Sequence, residues 1–217
     1  MSQATKVDAS VGARNRAIIL TAAEKAFAAQ GFKGTSVQQV ADQAGLPKTN
    51  VLYYFKTKQE LYLAVLKETM TLWNSSFDRA TVNDDPAEML ADYIAEKMEL
   101  SRTNPLASKI FAMEIINGAP NLNNYFDEEH SEWMEGRVSI INSWISSGKM
   151  QPIDPHYLLF NIWASTQHYA DFSIQITRLR GAKMKKADFA EATKHLVTLT
   201  LNGCGLDVPE KYRIETR

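Results

Sequence analysis

Residues 35–55 read TSVQQVADQAGLPKTNVLYYF, two short helical patterns joined by a glycine. Thr35 stands three positions before Gln38, the spacing of a capping box that starts a helix. Val37, Val40 and Ala41 then recur at i, i+3 and i+4, which gives that helix one apolar face. Gly45 supplies a tight turn, Leu46 restores an apolar contact, and Pro47 stands where a second helix begins, a place where its missing N–H is harmless. The second helix sets Val51, Leu52 and Phe55 against Lys48, Thr49, Asn50, Tyr53 and Tyr54. Such a polar face suits a DNA major groove, where these groups reach phosphates and base edges. An ordinary helical hairpin with a polar outside is the competing reading.

The charge distribution favours the first reading. Residues 1–58 hold eight Lys or Arg against three acids, whereas the remaining chain holds 16 against 22, so a net charge of −1 conceals a basic end on an acidic body. That asymmetry concentrates attraction for a polyanion at one end. With 217 residues, 45% of them hydrophobic, the chain is long enough to bury a core. No apolar run reaches the ~18 residues of a membrane span, and the N-terminus lacks the apolar stretch of a signal peptide, which together imply a cytoplasmic protein without membrane contact. Cys204 is the single cysteine, which excludes an internal disulfide and a multi-cysteine metal site.

Outward from the motif, residues 1–13 are small, polar and aperiodic, as in a mobile arm. Residues 14–30 repeat Ile18, Ile19, Ala22, Ala23, Ala26 and Phe27 at helical spacing, and Gly31 ends them. This helix and the two of the motif make a three-helix head over residues 14–56. Thr57 and Glu60 form another capping box, opening a long helix with Leu61, Leu66, Met70 and Trp73. Lys58 lies in its first turn against the helix dipole, a placement that an anionic partner would explain. Asp85-Pro86, Asn104-Pro105 and Asp154-Pro155 each start a further helix, while Gly118, Gly148 and Gly181 end others. The penultimate helix is expected to run unbroken from Pro155 to about Arg180, and the last one over residues 188–202. No alternating strand pattern is found, so the prediction is an all-α protein of about nine helices, with residues 57–217 as the body.

The run QAGLPKTNVLYYFKTKQELYLAVL, with Tyr53, Tyr54, Phe55, Lys58 and Glu60, resembles the TetR family of transcriptional regulators over residues 14–66. In the body, MEIINGAP and SGKMQPIDPHYLLFNIWASTQHYADF resemble the RutR type within that family, regulators of pyrimidine utilisation that respond to uracil or thymine. The resemblance implies a homodimer, joined through the last two long helices, that binds a palindromic double-stranded DNA operator and is released by a small effector. It implies groove contacts for Lys48, Thr49 and Asn50. Phosphate contacts fall to Thr35, Ser36, Tyr53, Tyr54 and Lys58, with Tyr53 equally readable as core. The wide apolar band of the penultimate helix is compatible with a dimer face. The tail from Gly203 has no assignable role.

For the effector, polar side chains on apolar helix faces are informative, because burying them is costly unless something pairs with them. Lys97 shares a stripe with Leu90, Tyr93, Ile94 and Ser101, and Glu114 shares one with Ile110 and Phe111. Trp163, Gln167 and Asp171 follow one another by a turn. A pyrimidine dione needs a flat surface and a donor–acceptor pair, which an indole and a glutamine amide supply. The ligand-binding candidates are therefore Trp73, Lys97, Trp163 and Gln167. The alternative is a Lys97–Glu114 ion pair with the tryptophans in the core. The histidines fall at unrelated phases, so no metal is expected. Ser165, His168 and Asp171 spread over one helix surface without an oxyanion site, so neither catalysis nor a cofactor is expected. A TetR-type sensor of drugs or fatty acids and a non-DNA helical interaction protein are the rival functions.

Overall fold

A computed structural model describes residues 3–75, 77–122 and 129–214. Among these the chain is all helical, with ten α-helices and no strand. It folds as two compact units. One takes the chain up to Met70 together with Lys109–Leu122; the other takes Thr71–Ser108 and the chain from Asn123 onward. The 56/57 boundary expected from the sequence concerns the helix-turn-helix head and is distinct from this packing division, which falls between Met70 and Thr71. No helix among the described residues is long and apolar enough to cross a membrane.

In the first unit, α1 (Gln3–Gly34) takes in residues 3–13, which composition alone reads as an arm. Gly31 breaks its regularity at φ 69°, ψ 176°, a backbone that residues with a Cβ rarely adopt. α2 (Val37–Ala44) and α3 (Lys48–Tyr54) form the helix-turn-helix, and α4 (Lys58–Asn74) follows. Gly45 adopts the left-handed conformation at φ 66°, and Leu46 N–H closes back on Ala41 O at 3.0 Å, a Schellman-type stop. Ile19, Ala23, Phe27, Val40, Ala41, Val51, Leu61 and Leu66 are fully buried, and each of the larger ones contributes about 1.5–3 kcal/mol.

The expected capping box forms one residue later than the spacing suggested. Ser36, not Thr35, accepts from Gln39 N at 3.2 Å, and Gln39 Oε1 accepts from Ser36 N at 2.7 Å. Thr35 is only 2% exposed, and its hydroxyl donates to Ala26 O (3.1 Å) and Gly31 O (2.9 Å), tying down the broken end of α1. At the start of α4, Thr57 Oγ1 accepts from Glu60 N as expected, but the Glu60 carboxylate accepts from Lys56 N.

In the second unit, α5 (Pro86–Thr103) packs against both α8 (Pro155–Asp171) and α10 (Lys186–Gly203). Asp85 and Asp154 cap α5 and α8 as their Asp-Pro pairs predict. α6 (Pro105–Ile116) starts after Asn104, and α7 (Glu129–Ser146) precedes the left-handed Gly148. The helix expected to begin near Leu122 is described only from Glu129. The expected single helix to Arg180 is two: Phe172, at φ −106° and ψ 23°, separates α8 from α9 (Ser173–Arg180). Its ring stacks on His168 at 4.9 Å on the outer surface instead of packing inward. The tail is a strap: Leu206, Val208 and Tyr212 pack on the core, Tyr212 Oη donates to Asp92 (2.8 Å), and Lys211 bridges Glu88 and Asp92.

Candidate functional site

The DNA-facing candidates sort by exposure. Val51 and Phe55 turn inward, leaving Lys48, Thr49 and Tyr53 exposed and Asn50 and Tyr54 half-buried. Tyr53 is 72% exposed, which removes the core reading for it. Its ring stands edge-on to Tyr54 at 5.2 Å, and Lys56 Nζ lies 5.5 Å from its centroid while donating to its carbonyl. Ser36 is exposed at the start of α2. Two candidates fit phosphate binding less well than their positions implied. The Thr35 hydroxyl is buried and committed to carbonyls. Lys58 Nζ donates to Phe32 O (2.9 Å) and Thr35 O (3.0 Å) over the Phe32 ring, so its place against the helix dipole is explained within the head, with one N–H left over.

In the second unit an aromatic cluster holds the buried ammonium of Lys97. Lys97, 4% exposed, holds its ammonium 4.9 Å from the Trp73 ring and 5.6 Å from that of Tyr93. It makes no hydrogen bond or ion pair among the described residues. Burial pushes its ammonium down to about 7. Tyr93 stacks on Phe77 at 4.8 Å and accepts a 2.7 Å hydrogen bond from Trp163 Nε1. Burial pushes the Tyr93 phenol up. One turn after Lys97, Ser101 donates to Thr166 O at 2.9 Å. These two α5–α8 contacts bracket Lys97 on one helix and lie beside Gln167 on the other. Gln167 is half-buried, and its amide has no hydrogen-bond partner among the described residues. Trp73, Lys97 and Trp163 are thus brought into one cluster, with Gln167 a turn beyond Trp163.

Lys97 and Glu114, paired in the alternative reading, belong to different units. Glu114 accepts from Tyr62 Oη (3.1 Å), Asn121 N (2.7 Å) and Asn121 Nδ2 (3.2 Å), a buried staple in the first unit. Asp171 accepts from Ser108 at 2.6 Å. The residues that sequence reasoning missed lie on α7. His130 stacks on Trp133 at 5.7 Å, both approach Trp163 at about 6 Å, and the Arg137 guanidinium lies 6.0 Å from Phe77. Burial, then the charge of Lys97, hold the His130 imidazole below its ordinary range. The spacing HxxWxxxR puts all three on one helix face, a signal present in the sequence but unread.

Comparison with known proteins bears on both units. Residues 19–65 match the family described as "Bacterial regulatory proteins, tetR family", and residues 66–207 match "YcdC-like protein, C-terminal region". The chain is 40% identical over 190 residues to the HTH-type transcriptional regulator RutR of Escherichia coli strain K12, covering 85% of this chain and 90% of that one. It is 30% identical over 114 residues to the HTH-type transcriptional repressor NicS of Pseudomonas putida, covering 52% and 54%. The fold resembles SCO4942 from Streptomyces coelicolor, with TM-score 0.70, 21% identity and coverage of 89% and 99%. It also resembles the regulator FadR from Bacillus subtilis, solved with stearoyl-CoA, with TM-score 0.65, 18% identity and coverage of 86% and 97%.

Proposed function

Because the chain belongs to the TetR family of bacterial regulatory proteins, we propose that it is a dimeric repressor whose operator binding is released by a planar pyrimidine such as uracil or thymine. Residues 14–56 read DNA, and residues 57–217 bind the effector and the second subunit. The observation that carries the effector reading is the cluster in which Lys97 lies over Trp73 and Tyr93 and Trp163 joins through Tyr93, one helical turn from Gln167, whose amide has no hydrogen-bond partner among the described residues. Rings supply stacking surfaces, the amide a donor and an acceptor, and the ammonium a donor to a carbonyl. Trp73 lies in the last turn of α4, the helix that begins at Lys58 beside the helix-turn-helix. A ligand that favours one position of α4 biases the separation of the two heads. Half-sites one turn apart need recognition helices about 34–36 Å apart, so a small shift disables the pair.

Calorimetry tests the effector: uracil or thymine should bind, and Gln167→Ala should weaken binding on the order of ten-fold by leaving the base edge unpaired. Absence of heat with both bases would remove the pyrimidine reading and leave the regulator reading standing. The fatty-acyl alternative has a specific place, an open cleft of about 450 Å³ lined by Tyr169, Ile174, Met184 and Phe189 and rimmed by Arg178 and Lys183. An acyl-CoA that binds where uracil does not would favour it.

On the DNA side, the two kinds of contact separate by salt. Lys48→Ala should weaken binding to every sequence and lower the slope of log K against log salt by ~1 if Lys48 holds a phosphate, whereas Asn50→Ala should relax specificity by ~1–3 kcal/mol at one base pair with the slope unchanged. Titration of both variants on operator and scrambled duplex at several salt concentrations reads this directly. Equal loss on both duplexes for Asn50→Ala would assign it to the backbone instead.

A further inference from the structure

Resting on this effector-site reading, we infer that the site selects its ligand by charge: it takes a planar ring acid as the anion, whose delocalised negative charge lies against the ammonium of Lys97. The buried polar side chains elsewhere are satisfied from within. Thr35, Thr69, Ser101, Ser108, Glu114, Thr166 and Thr193 each have a hydrogen-bond partner. Lys97 is the exception among them, with two ring faces and no acceptor among the described residues. Buried cations are ordinarily paired, and a ring face offsets only part of the lost hydration.

Among the described residues no acid pairs with Lys97. α4 presents Trp73, α5 presents Tyr93, and the charged group that acts on Lys97 from α7 is His130, itself a base. Asp78 is turned to Trp133 Nε1 at 2.6 Å and Asp171 to Ser108. Arg137 adds a second orphan to the same aromatic cluster: its Nε is buried without a hydrogen-bond partner, although its guanidinium also donates to Phe77 O. Two cationic side chains share the cluster, and among the described residues no carboxylate pairs with Lys97 and nothing accepts from Arg137 Nε, an arrangement that an anion from outside would neutralise. A neutral dione supplies acceptors but leaves the charge uncompensated, whereas an anionic ring acid supplies both.

Barbiturate is the probe that separates charge from shape, because it keeps the six-membered acyl-urea ring of uracil and is an anion at neutral pH. Calorimetry at pH 7.5 should give barbiturate an advantage over uracil of at least about ten-fold, and Lys97→Met should abolish that advantage. Native protein should also take up a fraction of a proton per site on binding barbiturate, read as a buffer-dependent enthalpy, because the anion recharges a lysine that burial leaves partly neutral. Uracil binding as tightly as barbiturate, or an advantage that survives in Lys97→Met, would overturn the charge inference while leaving the effector site in place. If neither compound binds, or if Gln167→Ala and Lys97→Met leave both affinities unchanged, the effector-site reading falls together with the inference.

Discussion

Replacing Lys97 by methionine is expected to make the protein more stable and to blunt its response to ligand. The side chain is buried and its ammonium meets two ring faces and no anion among the described residues. Substituting apolar volume for a buried charge is commonly neutral or stabilising, by about 1–4 kcal/mol. Methionine fills the same stem with a flexible thioether that suits aromatic neighbours. The pH dependence identifies the cause. In the folded chain the ammonium titrates near 7 against an ordinary value of 10.5, so between those values the unfolded chain holds more protons and stability rises with pH. The penalty is fully present below pH 7 and is relieved as pH climbs through that window. Thermal unfolding of both proteins from pH 6 to 10 should therefore show the largest gain for the variant at the acid end, with the two curves converging toward pH 10. Comparison of the pair cancels other groups that titrate there, including Cys204, whose thiol burial pushes up to about 11. A variant less stable than its parent at pH 6 would mean that Lys97 has a partner which offsets its burial.

The places where sequence and structure part follow a physical pattern. Devices closed within a few residues were legible: Asp85-Pro86, Asp154-Pro155, Gly45 and Gly148 stand where the helices start and stop. Thr35 and Ser36 were interchangeable by spacing, and the choice between them depended on carbonyls of α1 nine and four residues back. The break at Phe172 could not be read, because an apolar residue in an apolar run carries no stop signal. Likewise the tail looked unassigned because its partners, Glu88 and Asp92, lie more than a hundred residues away. At the candidate site, Trp73, Lys97, Trp163 and Gln167 were chosen from stripes on single helices, and the first three join Tyr93 in one chain of contacts. His130, Trp133 and Arg137 escaped because a polar aromatic face on α7 reads as an exposed face until its neighbours are known.

Leu199→Glu is expected to reduce operator affinity 10²- to 10⁴-fold without touching a DNA contact, the factor that linked binding sites lose when they separate. Leu199 is 71% exposed on α10, in line with His195 and Glu191 at helical spacing. On α8 and just beyond it, His168 and Phe172 are likewise exposed, and the groove among α8, α9 and α10 runs past His168, Ile176, Ala192 and His195. Two helices that bury one face on α5 and leave Leu199 and Phe172 uncovered on the other have the form of half a four-helix bundle. In the proposed dimer a two-fold axis brings each α10 face against its equivalent, so one substitution places two carboxylates in the interface. The substitution is on the surface of a single chain, so its own fold should be unaffected to within about 0.5 kcal/mol. Sedimentation should then give a monomer with unchanged helix content, and gel-shift titration should show each head binding a half-site weakly and without cooperativity. Uracil or barbiturate affinity should persist, because Lys97 and Gln167 are held by α5 and α8 of one chain. A dimer that survives Leu199→Glu would move the interface off this face, and a monomer that keeps full operator affinity would show that the two heads do not act as a pair.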